Sequence, residues 1–162
     1  MVEHVNQHFT MAYPSLIVSL DGFSLSSYVI KEMTIIKLDG GFDHFLFAPP
    51  SPISQRSSYE RRTIQYTTRR LSQIGWDDGD LSYSTLFQLL KQIPAGSEII
   101  CHGNMAREFL RKNLNPGVTI RDTAREGKKY PDDLPHAVSC GRVHNHRYCS
   151  LVKGLYILNN FL

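Results

Sequence analysis

Residues 15–48 constrain the fold most, because three short apolar segments follow one another across connections too short to hold a helix. Ser15 to Leu20 is rich in Leu, Ile and Val and reads as a buried strand closing on an Asp21-Gly22 turn. Tyr28 to Leu38 reads as a second strand, in which Val29, Ile30, Met33, Ile35 and Ile36 mix with Lys31, Glu32 and Lys37. Asp39-Gly40-Gly41 is a hairpin signal, since glycine accepts the positive φ of a tight turn. His44 to Ala48, with alternating Phe45 and Phe47, makes the third strand of an antiparallel meander.

Pro49-Pro50-Ser51-Pro52 stops the sheet, because proline cannot donate to a ladder. Ser58 to Leu71 is polar and basic and forms a helix or an ordered loop. Trp76-Asp77-Asp78-Gly79-Asp80 is a turn. Ser82 or Ser84 caps a helix over Thr85 to Gln92, with Leu86, Leu89, Leu90 and Ile93 at helical spacing. Glu98 to His102 is a fourth strand, and Asn104 caps a helix from Met105 to Leu114. Val118 to Ile120 is a short fifth strand, Ala124 to Ser139 a loop, and Tyr148 to Phe161 a terminal helix against which Gly154 argues. A meander followed by alternating helices and strands specifies an α/β fold, a mixed sheet flanked by helices. One domain over 15–162, preceded by a flexible segment over 1–14, accounts for the pattern.

The 41% of hydrophobic and 20% of charged residues suit a globular chain, long enough to need no disulfide scaffold. Three cysteines do not make a paired framework, which favours a reducing compartment, cytoplasmic or nuclear. The first residues lack the basic-then-apolar order of a signal peptide, and no apolar run reaches the ~20 residues that cross a bilayer, so no membrane association is expected. The net charge of +3 permits nucleic-acid binding without singling it out.

Chemistry concentrates near the C-terminus, where Cys140, His144 and Cys149 lie within ten residues and His146 adds a second imidazole. Thiolate and imidazole are the usual ligands of a structural zinc, which takes four of them. The fourth must come from elsewhere in the chain, and Glu32, Cys101, His102 and His146 are the options. The competing reading makes Cys140 and Cys149 small buried hydrophobes.

His144 followed by Cys149 at the start of an apolar terminal helix resembles the last motif of DEDDh exonucleases, a ribonuclease H-like group, in which an Asp stands where Cys149 does. Their first motif, Asp-x-Glu, is matched by Ser19-Leu20-Asp21, with one carboxylate remaining. Their middle Asp falls where Ala106 and Arg107 stand, after His102-Gly103-Asn104 and before Phe109-Leu110. Two magnesium ions need several carboxylates, so the resemblance implies a ribonuclease H-like fold without magnesium-dependent exonuclease activity. A closer likeness is to the Maelstrom domain of piRNA-pathway proteins, which resembles a degenerate exonuclease carrying a Glu-Cys-His-Cys zinc set. Ile30-Lys31-Glu32-Met33-Thr34-Ile35 is similar to the strand that bears its Glu. Carried over residue by residue, this resemblance implies zinc on Glu32, Cys140, His144 and Cys149.

Arg56, Arg61, Arg62, Arg69 and Arg70, interleaved with Tyr59 and Tyr66, have the composition of a surface for single-stranded nucleic acid, RNA more than DNA. Guanidinium grips phosphate bidentately, and tyrosine offers a stacking face to unpaired bases. The leading expectation is a zinc-stabilised, exonuclease-derived binding module. The alternatives are a metal-independent RNA nuclease of Maelstrom type and a protein–protein adaptor whose arginines are a solvated face.

Overall fold

In the computed structural model, which describes residues 14–135, 140–141 and 144–162, the meander forms one half of a five-stranded sheet. β1 (Ser15–Ser24), β2 (Tyr28–Lys37) and β3 (Phe42–Leu46) pair antiparallel, while β4 (Glu98–Cys101) and β5 (Thr119–Asp122) add parallel to β1. The order β3-β2-β1-β4-β5 puts β1 at the centre of a mixed sheet flanked by helices. Most of the expected segment 1–14, and residues 136–139 of the expected loop, lie outside the described residues.

Four α-helices punctuate the described chain: α1 (Ser58–Tyr66), α2 (Tyr83–Lys91), α3 (Asn104–Asn113) and α4 (Ser150–Tyr156). α1 begins where the Ser57 hydroxyl accepts from the Glu60 N–H, and it runs on through a wider turn over Thr67–Ser72 that ends at left-handed Gln73. α3 starts after Gly103, so Asn104 is its first residue and not its cap. A similar wide turn over Ile157–Phe161 extends α4.

Alternation along the strands splits the core in two. Val18, Leu20, Met33, Ile99 and Cys101 face Leu86, Leu90 and Leu110 of α2 and α3. On the other face Ile17, Ile36 and Ile100 pack against Ile157 and Phe161. That second face also carries Ser19, Asp21, Glu32 and Thr34, all buried. Buried polar groups need partners, and α4 supplies them: Ser150 Oγ lies 2.7 Å from Thr34 Oγ1, and Lys153 Nζ donates to the Leu20 carbonyl at 2.9 Å.

One expected turn needs correcting, and the expected terminal helix forms despite Gly154. Asp21-Gly22 is not a turn; β1 passes through it with a bulge and continues to Ser24. Gly22 is required there because a Cβ would sit 2.0 Å from the Val29 carbonyl oxygen. Gly154, which argues against a terminal helix by propensity, lies within α4, because a Cβ would come 2.5 Å from Ile36 Cδ1 and 3.1 Å from Ser19 Cβ. Close packing onto the sheet overrides helix propensity at that position.

Candidate metal centre

β2 places Glu32 on the α4 face of the sheet, where its side chain is fully buried. A lone buried carboxylate is costly, so its neighbours decide its state. Oε1 accepts a short hydrogen bond from the Ser150 N–H at the start of α4. Oε2 lies 3.3 Å from His44 Nε2 and 3.6 Å from His144 Nδ1. Burial opposes the charged form of Glu32, but His44 and Ser150 outweigh it and hold the carboxyl below its ordinary range.

The C-terminal loop closes over this carboxylate. Cys140 Sγ lies 3.3 Å from His144 Nε2, and Cys149 is buried just before α4. One donor atom each from Glu32, Cys140, His144 and Cys149 falls within 4.8 Å of all the others. This set can hold a metal ion. Donors around a tetrahedral ion such as zinc lie roughly 3.2–3.8 Å apart, so uptake would ask for a contraction of about 1.5 Å at most. Glu32 Oε2 and His44 Nε2 are shielded from solvent, and neither makes a well-aligned hydrogen bond among the described residues. A cation bound to Oε2 satisfies an oxygen that is otherwise poorly served. Burial raises the Cys149 thiol pKa strongly, and the nearby Glu32 charge adds to it, so a metal must displace that proton.

Of the four options for a fourth ligand, Glu32 is the one in this group. Cys101 faces the opposite core, and burial, with the Asp122 charge, pushes its thiol up to about 12. His102 Nδ1 lies 2.8 Å from Thr123 Oγ1, and its ring packs against Tyr130 and Phe161. The His146 side chain lies outside the described part. His44 went unnoticed in the sequence, although the Asp39-Gly40-Gly41 hairpin implies it. The register pairs Thr34 with His44, and so puts the imidazole diagonal to Glu32 on the same face. Lys31, expected only as a polar residue of the second strand, is buried. Its buried ammonium donates to the carbonyls of Phe47, Trp76 and Asp78 at 2.6, 2.6 and 2.5 Å, tying down the Trp76–Asp78 turn.

Asp21, which the sequence likeness aligns with the first exonuclease motif, is buried and paired with Lys153 at 3.6 Å. No second carboxylate joins it on β1, where Ser19 stands. The basic residues separate into two groups. Arg62, Tyr66, Arg69 and Arg70 are exposed along α1 and its wide last turn, whereas Arg61 turns back to donate to the Arg56 carbonyl at 2.6 Å. The wide turn meets the metal-site loop, because the Asn145 N–H donates to the Ser72 carbonyl at 3.4 Å. Among the described residues no helix is long and apolar enough to cross a membrane. Neither a protein-family model nor a curated protein matches the chain.

Proposed function

We propose that this chain is a zinc-stabilised, exonuclease-derived module that binds single-stranded nucleic acid, of ribonuclease H-like fold and similar to the Maelstrom domain. The convergence of Glu32, Cys140, His144 and Cys149 from a central strand and the C-terminal loop carries the reading. Two thiols, an imidazole and a carboxylate suit zinc better than magnesium or calcium, which prefer oxygen. The β3-β2-β1-β4-β5 order, antiparallel on one side of β1 and parallel on the other, supports the fold assignment. The single carboxylate at Asp21, held by Lys153, speaks against two-magnesium catalysis.

Zinc at this site is structural: four protein donors close its shell and tie the C-terminal loop to β2. The same loop braces the turn that bears Arg69 and Arg70, so metal and binding surface are mechanically joined. Elemental analysis of purified protein should find one zinc per chain. Cys140→Ser should lose it and expose α4 to proteolysis. Cobalt substitution should give thiolate-to-metal charge-transfer absorption that the variant lacks. A metal-free protein whose cooperative melting midpoint ignores chelator would sink the proposal.

A further inference from the structure

On the sheet face opposite the metal group, a cleft of about 510 Å³ opens between the start of β2, α2 and α3. Four half-buried rings line it as one chain of contacts. Tyr83 meets Phe87 edge-on at 5.6 Å, Phe87 meets Phe109 at 6.2 Å, and Phe109 meets Tyr28 edge-on at 6.4 Å. Each ring spends one side on the core and leaves part of its surface to the cleft. Met105, 41% exposed, gives the rim an adaptable apolar side chain.

Charge at the cleft is arranged for an anion. The Glu108 carboxylate is already engaged by Arg111 at 2.5 Å and Arg107 at 3.7 Å. Lys112, exposed at the cleft, makes no ion pair among the described residues. Arg56 is held over the Trp76 ring at 5.0 Å, with Nη1 a long 3.8 Å from Glu60. Its Nε is shielded from solvent and makes no hydrogen bond among the described residues. Asn113 donates Nδ2 to the Phe109 carbonyl at 2.8 Å, which leaves its Oδ1 as an acceptor.

We infer that this cleft binds a nucleoside monophosphate unit, its base against the Phe87 and Phe109 rings and its phosphate between Arg56 and Lys112. The cleft size suits a ligand of that class, and aromatic walls with a few placed polar groups are what small-molecule sites use. A purely apolar ligand leaves the two cations without a role. The unit is either a free nucleotide or one nucleotide of a single strand. The cleft lies apart from the metal group and does not include Arg62, Arg69 or Arg70, while Arg56 ties it to the start of α1 through Glu60 and Arg61.

Titrating the full-length, isotope-labelled chain with AMP, adenosine and a short oligoadenylate tests this by nuclear magnetic resonance. AMP should shift the amides of Tyr28, Phe87 and Phe109 saturably, with adenosine about tenfold weaker for want of the phosphate. Lys112→Glu should weaken AMP about tenfold without moving the denaturation midpoint, since the residue is exposed. Phe87→Leu, which keeps an apolar side chain but removes the ring, should weaken AMP several-fold through lost stacking. If the oligoadenylate shifts the same amides, the cleft holds a nucleotide of a strand; if only AMP does, it holds the free nucleotide. An oligoadenylate that leaves α1 unmoved counts against the strand-binding proposal above and leaves the cleft standing. No saturable shift up to about 10 mM AMP, or equal affinity for AMP and adenosine, overturns the inference.

Discussion

Gly154→Ala pits two effects of similar size against each other, and the structure decides between them. Helix propensity favours the alanine by about 1 kcal/mol. Packing opposes it, because the new methyl would stand 2.5 Å from Ile36 Cδ1 and 3.1 Å from Ser19 Cβ. Carbon atoms rest about 3.5–4.0 Å apart, so one of these groups must move by about 1 Å. Ile36 is fully buried in a cluster with Ile17, Ile100 and Ile157, and Ser19 Cβ is fixed to the central strand. Overpacking of this kind costs about 1–3 kcal/mol, and the rigid surroundings put this case in the upper half. The net expectation is a loss of about 1–2 kcal/mol, read from equilibrium denaturation. Ile36→Val removes the clashing Cδ1 at a cost of about 0.5–1.5 kcal/mol on its own. The double variant should therefore be more stable than the sum of the singles by about 1 kcal/mol. A Gly154→Ala protein as stable as the parent, or strictly additive singles, would refute the close-packing account.

Three further outcomes are expected. Lys31→Met should cost about 3 kcal/mol in the same assay, since two buried carbonyls and one part-buried carbonyl lose their donor together; a loss under about 1 kcal/mol would show that they find other partners. The Asp21 carboxyl is pushed up to about 6, chiefly by burial, with the Lys153 ammonium only partly offsetting it. A raised acid holds its proton more tightly folded than unfolded, so it withdraws stability as pH rises from about 4 to about 6. Asp21→Asn should thus gain on the parent across that window and hold a constant difference above it, and a difference that is flat from pH 4 to 7 would count against this assignment. Replacing Arg69 and Arg70 with alanine should weaken single-strand binding evenly across sequences and flatten the log–log salt dependence by about 0.7 per lost phosphate contact; unchanged salt dependence would free α1 of that role.

What was legible in the sequence follows from how local each signal is. Asp39-Gly40-Gly41 fixes a hairpin by itself; the strand before it falls where its apolar run puts it, while the one after it begins at Phe42, two residues ahead of the expected His44 to Ala48. Asp21-Gly22 carries the same composition yet is a bulge, because Val29 approaches from the partner strand, and no local pattern records that approach. Cys140, His144 and Cys149 were visible through clustering alone. Glu32 sits more than a hundred residues away; spacing does not point to it, the likeness of its strand to the Maelstrom domain does, and the packing of α4 on β2 brings it to them. The arginines read as one set, whereas Arg61 is turned aside by a carbonyl five residues earlier in the chain.

A metal on the Glu32, Cys140, His144 and Cys149 group would also answer a question that α4 poses. A seven-residue helix with a glycine inside it cannot persist by its own hydrogen bonds, since isolated helices shorter than about 12–15 residues are marginal even when rich in alanine. Yet α4 covers the polar half of the sheet, and Asp21, Glu32 and Thr34 depend on it for partners. Its first residue is already bonded to Glu32, and Cys149 immediately precedes it. An ion joining Cys149 to Glu32 would therefore pin the helix at the one end where sheet and loop meet, and the tight seat of Gly154 fixes it one turn further on. Losing either anchor leaves buried carboxylates facing water or nothing, so the two should fail together. Chelation should lower the protection of Ser150 to Tyr156 amides from hydrogen exchange more than that of α2 or α3, which lie on the opposite face.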